Sequence, residues 1–360
     1  MADRLTPPAR AALLAVVLLL AGGVAGAVAT HGAEPPPPQA SLLRRVGAYG
    51  VRPQDALAAA HAGISLAIAP YRPSGTRAAA TLRIAHLPVI DNTIESIVYA
   101  HIPRSCVTSP APCPVSPTAW TAALQQLRAH LDRVARDPSV VGFYVLDDYP
   151  GSINPLLARV HAVIAAANKQ RGLARPVVCG FSADLDFTAG NNVVEPRAPM
   201  RRALTNYSPA ACDVVLMYSY AYRYGGHTTV DPSAYDWTMA RVLPDFLQGL
   251  RARGWTPRTP LIGTPMAFDS PSTGYVGPTS TQLATQVEAF CAAGASGVIA
   301  FAWHVNDRPA SDLANDPRLR AGLQAGVPAC QTHWRTPPTT AAVPHTMPTA
   351  NAVPPTTSVG

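Results

Sequence analysis

The sequence predicts an α/β protein built as a single closed (β/α)8 TIM barrel, and three observations carry that expectation. Short β-branched or apolar runs alternate with longer helical patterns, and the alternation occurs eight times. It also fills the stretch between an apolar amino-terminal segment and a carboxyl-terminal tail of Pro, Thr and Ala. The eight strands are expected at residues 46–49, 64–70, 87–91, 140–147, 177–181, 214–218, 261–267 and 298–303. An open doubly wound sheet is the competing arrangement. It would carry a Gly-rich turn after its first strand, where this chain has only Gly50-Val51-Arg52-Pro53.

Taken in order, residues 1–29 read as a signal peptide. Arg4 and Arg10 precede an apolar run over 11–29 that ends in the small residues Ala27-Val28-Ala29. No arginine or lysine stands just after the run, so cleavage is expected, with no stable membrane span afterwards. The protein is therefore expected to be secreted or extracellular, with association to the cell envelope as the variant. A Pro-rich linker over 30–40 follows, then the barrel over 41–331, then a low-complexity tail over 332–360. Within the barrel several helices mark their own ends. Ser116-Pro117 supplies an N-cap and a first-turn proline ahead of Trp120, Leu124, Leu127, Leu131 and Val134 on one face. Asn154-Pro155 is expected to do the same for a helix closing near Gly172, and Ser280 or Thr281 opens another that ends at Gly294. Pro244 is expected to kink or split the helix between the sixth and seventh strands.

Composition excludes several function classes. In 360 residues, 48% hydrophobic and 14% charged leave ample core, which rules out disorder throughout and a simple coiled coil. Lys169 is the one lysine, a poor basis for Schiff-base chemistry. The net charge of +7 comes from scattered arginines, grouped no more densely than pairs such as Arg44-Arg45, so nucleic acid is not an expected partner. Six cysteines in an exported chain suit disulfides. Cys106 and Cys113 form the best local pair, while the pairing of Cys179, Cys212, Cys291 and Cys330 stays open. CxxC and HxH spacings are absent, so neither metal nor cofactor is expected, and the protein is expected to be a monomer.

In such a barrel the working residues stand at the carboxyl ends of the strands. Carboxylates and aromatic rings dominate those positions, a mixture that suits protons and the apolar faces of sugars. The substrate-binding set is Tyr49, Asp91, Tyr218, Tyr220, Met266, Asp269, Trp303 and Asp307; the catalytic set is Asp148, Asp147 and Asp184. Strict alternation along the fourth strand turns Val141, Phe143 and Val145 outward. It turns Gly142, Tyr144, Leu146 and Asp148 inward, leaving Asp147 toward the helices or the loop with a structural hydrogen bond.

The segment Val140 to Pro150 resembles the glycoside hydrolase barrels, and most nearly the chitinase-like family 18 barrels, whose fourth strand ends in DGxDxDxE followed by Tyr-Pro. Gly142-Phe143 and Tyr149-Pro150 fall in register with that motif, which places Asp148 at the acid glutamate. Val140, Tyr144 and Leu146 replace the three aspartates. Met217-Tyr218-Ser219-Tyr220 is similar to the family's sixth-strand Tyr-Asp-Tyr, with Ser219 in place of its aspartate, and the last strand is similar to the one whose tryptophan, here Trp303, floors the cleaved sugar. The resemblance implies a glycosidase acting on a polysaccharide or oligosaccharide, with Asp148 as general acid and either the substrate's acetamido group or a carboxylate among Asp184, Asp269, Asp307 and Asp91 as its complement. A non-catalytic carbohydrate-binding barrel is the alternative, and an envelope-associated structural protein the third reading.

Overall fold

The computed structural model of the chain describes residues 42–69, 87–103, 113–147, 153–182, 206–219, 243–270, 277–305 and 311–335. Eight parallel strands close a barrel: β1 (Val46–Tyr49), β2 (Leu66–Ile68), β3 (Val89–Asp91), β4 (Val140–Asp147), β5 (Val177–Ser182), β6 (Val214–Ser219), β7 (Leu261–Pro265) and β9 (Gly297–Ala300). Closure is made by β1, which pairs in parallel with β2 on one side and β9 on the other. The two remaining strands, β8 (Phe268–Asp269) and β10 (Ser311–Asp312), form an antiparallel ribbon beyond the carboxyl ends of β7 and β9.

Period-two alternation divides the apolar residues into two clusters. Leu66, Ile68, Val178, Leu216, Ile262 and Ile299 fill the barrel. Their neighbours in sequence, such as Ala67, Cys179, Val215 and Val298, join the larger cluster between sheet and helices.

Among the described residues the α-helices are α1 (Ala56–His61), α2 (Thr93–Ala100), α3 (Pro117–Val134), α4 (Asn154–Arg171), α5 (Leu243–Arg251), α6 (Ser280–Ala292) and α7 (Pro317–Arg335). Ser116 Oγ caps α3 by accepting from the Ala119 N–H at 3.1 Å, and Gly172 ends α4 in the left-handed region, as expected. Two details differ. Asn154 is the first residue of α4 rather than its cap, and its amide donates to the Asn206 carbonyl at 2.9 Å. Asn206 in turn is 0% exposed and accepts from the Ile153 N–H, so its Asn-Tyr-Ser sequon is not a surface acceptor. Helix α6 is opened by Thr279, whose hydroxyl and the Gln282 amide form a reciprocal capping box. Pro244 lies in α5, and the residues before Leu243, where a kink or a second short helix was expected, lie outside the described residues.

Among the described residues two disulfides are complete, one within the sheet side of the barrel and one between two helices. Cys179 on β5 is bonded to Cys212 just before β6, and Cys291 on α6 to Cys330 on α7. Cys113 is also disulfide-bonded, and Cys106 lies outside the described residues. Among the described residues no helix is long and apolar enough to cross a membrane.

Candidate active site

The site is set by two irregularities in β4. Against β3 the register slips between Val89 and Ile90, which pair with Val140 and Gly142, so Val141 is an extra residue and packs against the inner cluster. Against β5 it slips again, Tyr144 pairing with Val178 and Leu146 with Cys179. The second extra residue is Val145. Phe143 and Val145 face the helices and Tyr144 faces the interior, as alternation requires, but Leu146 also joins the outer cluster. The parity is thereby reversed, and Asp147, expected to face the helices, turns into the barrel.

There the Asp147 carboxyl is held by phenols from two strands. Its Oδ1 accepts from the Tyr218 hydroxyl at 2.6 Å and from the Tyr144 hydroxyl at 3.0 Å. A third phenol fixes the backbone. The Tyr99 hydroxyl, reaching over from α2, accepts from the Asp147 N–H at 3.2 Å and donates to the Asp147 carbonyl. Tyr144 can cross the interior because Gly180 on β5 has no side chain; a Cβ there would collide with the Tyr144 hydroxyl. Gly180→Ala is therefore expected to push that hydroxyl off Asp147 and to destabilise the fold by about 1–3 kcal/mol. Urea denaturation reads the loss, and a variant as stable as the parent would contradict this packing.

Electrostatics raise the Asp147 pKa above the ordinary carboxylate value. Burial pushes its pKa up, the two phenol hydrogen bonds pull it down, and the net direction is up. The Tyr144 hydroxyl is pushed well up, first by burial and then by the charges of Asp147, Tyr49, Glu95 and Tyr99, so it remains a donor. A half-buried carboxyl with a raised pKa suits general-acid chemistry, and phenols already aimed at it would stabilise the carboxylate it leaves. Beside it runs a chain of rings. Tyr49 meets Tyr144 edge-on at 6.1 Å, Phe301 lies 5.1 Å from Tyr49, and Phe268 lies 5.6 Å from Phe301. Among the described residues no group of three or more His, Cys, Asp or Glu side chains is placed to hold a metal ion.

No protein-family model matches the sequence, and no curated protein is significantly similar to it. Solved structures are similar in fold. An endo-β-1,4-mannanase from Thermotoga petrophila superposes with a TM-score of 0.50 at 11% identity, over 82% of this chain and 78% of that one. A β-galactosidase from the psychrophilic Marinomonas ef1 gives 0.48 at 11%, over 80% and 59%. A β-glucuronidase from Ruminococcus gnavus gives 0.46 at 12%, over 81% of this chain, which spans about half of that protein (50%). The likeness is one of fold.

Of the residues expected at the mouth, the structure brings together Asp147, Tyr218 and Tyr49. Asp91 is a correction. Ile90 takes the inward position, so Asp91 turns outward, 1% exposed, onto His130 Nε2 of α3 at 2.5 Å, with the Thr93 N–H on its other oxygen at 2.9 Å. It is unavailable to a ligand in the barrel. Trp303 also departs from its expected place. Strand β9 ends at Ala300, and Trp303, 3% exposed, packs in the cluster between sheet and helices, while Phe301 takes the place beside Tyr49. Met266 is buried, with its N–H on Gln286 Oε1, and Asp269 accepts from the Gly277 N–H at 3.1 Å in the β8–β10 ribbon. His304 stands between Asp55 at 3.0 Å and Asp312 at 3.2 Å. Asp148, Asp184, Tyr220 and Asp307 lie outside the described residues. Sequence reasoning missed Phe301 and Tyr99. Phe301 was legible, two residues after the inward Ile299, whereas nothing in the sequence pairs Tyr99 with a strand 48 residues away.

Proposed function

We propose that this barrel hydrolyses glycosidic bonds in a polysaccharide or oligosaccharide, with Asp147 as the group that protonates the leaving oxygen. One observation carries the reading: a carboxyl turned into the carboxyl end of the barrel and hydrogen-bonded to two phenols, with a pKa that burial raises. The rings of Tyr49 and Phe301 beside it provide the flat apolar surface that stacks on a sugar. The shared fold of an endo-β-1,4-mannanase and the family 18 resemblance of the fourth strand support the same substrate class. Asp148, the acid that the resemblance implies, adjoins Asp147 in sequence and is its competitor for the role; Asp184 and Asp307 remain candidates for the complementary carboxylate. We place the protein outside the cytoplasm as a monomer, in keeping with its two described disulfides and the apolar run over 11–29.

The test is release of reducing ends from a panel that includes β-1,4-mannan, cellulose and chitin, with the parent protein, Asp147→Asn and Asp148→Asn compared. Loss of release in Asp147→Asn supports the assignment. Undiminished release in Asp147→Asn overturns it, and loss confined to Asp148→Asn transfers the role to that residue. Binding of a polysaccharide without any cleavage by the parent would instead favour the non-catalytic carbohydrate-binding barrel.

A further inference from the structure

Strand β3 stops short of its neighbour. It ends at Asp91, opposite Phe143, whereas β4 runs on to Asp147 and keeps β5 beside it, Asp147 pairing with Gly180. On the β3 side the last residues of β4 therefore have no strand to pair with among the described residues. Backbone N–H and C=O groups at such a place turn to water or to whatever side chain reaches them. Tyr99 reaches them at Asp147, where its hydroxyl accepts from the N–H at 3.2 Å and donates to the carbonyl. A phenol suits that double task because one oxygen both donates and accepts. Helix α2 starts at Thr93, just after β3, and packs on β4, so Tyr99 comes from the same βα unit whose strand ends early.

We propose that Tyr99 is a positioning residue of this site: its hydroxyl stands in for the rung that β3 does not supply and so holds the Asp147 carboxyl toward the barrel interior. The direction of a side chain at a strand end is set by the peptide units on either side of it. The extra residue at Val145 has already reversed the parity of β4, and bulges of this kind re-aim side chains beside active sites. Tyr99 fixes the outcome by tying both backbone polar groups of the re-aimed residue. Without that tie the peptide is free to rotate and to carry the carboxyl away from Tyr144 and Tyr218, which donate to its Oδ1 at 3.0 and 2.6 Å. The three phenols thus divide the work: those of Tyr144 and Tyr218, from β4 and β6, bond the carboxyl, and that of Tyr99, from α2, bonds the peptide. Tyr99 acts through Asp147. Its effect on catalysis rests on the reading of Asp147 as the proton donor; its anchoring of the peptide does not.

The test compares the full-chain parent, Tyr99→Phe, Asp147→Asn and the double variant on a polysaccharide the parent cleaves, and follows the Asp147 carboxyl carbon by NMR in protein labelled at Asp. Tyr99→Phe removes one oxygen and keeps the ring. It is expected to lower kcat by about 10- to 10²-fold with KM nearly unchanged, the pattern of a misplaced catalytic group. On the Asp147→Asn background it should add no further loss, because residues that act through one group are not additive. The Asp147 titration midpoint should fall toward the ordinary carboxylate value as the group leaves the buried place that raises it. An unchanged midpoint in Tyr99→Phe, an unchanged kcat where Asp147→Asn has lost activity, or an equal fractional loss on both backgrounds overturns the proposal. A measurement on the parent alone serves if Tyr99→Phe does not fold: the Asp147 amide should exchange with solvent at least about tenfold more slowly than a free amide, and exchange at the free rate overturns the proposal. A shifted midpoint in Tyr99→Phe with no cleavage by the parent, or with undiminished cleavage by Asp147→Asn, would sink the reading of Asp147 as the acid and leave the anchoring by Tyr99 standing.

Discussion

Asp147→Asn should lower kcat/KM for the cleaved polysaccharide by about 10²- to 10⁴-fold while leaving the fold intact, the range expected for loss of a general acid. The substitution is selective because an amide oxygen can accept both phenol hydrogen bonds, from Tyr144 and Tyr218, in the geometry the carboxyl now uses. What disappears is the proton. The pH dependence has a definite sign. A general acid works in its protonated form, so activity falls as pH rises through the Asp147 pKa, which burial sets above the ordinary carboxylate value. The same shift works against stability: the folded state holds a proton that the unfolded chain releases more readily, so stability contributed by this group declines over that pH range. Asp147→Asn is therefore expected to be no less stable than the parent at neutral pH. A variant that loses activity and melts early together would show that Asp147 supports the barrel and does not act on a substrate.

Asp91→Asn should do the reverse, destabilising the barrel by about 3–5 kcal/mol and lowering the melting temperature by roughly 10 °C, with the active site unaffected. Asp91 and His130 are 1% and 2% exposed and join the end of β3 to the middle of α3. Removing the carboxylate strands the imidazole in a site with little access to water. Burial by itself would raise the Asp91 pKa, but the hydrogen bond and charge of His130, together with Thr93, outweigh it and the pKa is lowered. Its contribution is therefore complete above the unfolded value and is lost as pH falls below about 4 through the folded value. Urea unfolding at pH 7 and pH 3 checks both parts: the gap between parent and variant should be wide at pH 7 and smaller at pH 3. A gap under about 1 kcal/mol at pH 7 would mean that the pair contributes no more than a surface contact.

Much of the barrel is legible in the sequence because each βα unit declares itself locally. The inward Leu66 and Ile68 with the outward Ala67 follow from alternation alone, as do the Ser116 cap and the Gly172 terminus. The site is less legible because it depends on partners. The extra residue at Val145 is a property of how β4 pairs with β5, and no pattern within β4 announces it, so alternation carried Leu146 inward and Asp147 outward. The outward turn of Asp91 has a simpler cause. Strand β3 is only Val89–Asp91, too short for periodicity to choose a face, and the choice falls to His130 on a helix 39 residues away. Asn154 failed as a cap for a similar reason, since the distant Asn206 claims its amide.

The bond between Cys291 and Cys330 gives the end of the molecule a mechanical property. Tension pulling on the chain after α7 enters at Cys330 and crosses through sulfur into α6, bypassing the stretch between them, a sequence separation of 39. Strand β9, which lies within that bypassed span and supplies Ile299 and the approach to Phe301, carries none of the load. A tether fixed to that terminus could thus be strained while the ring of staves stays shut.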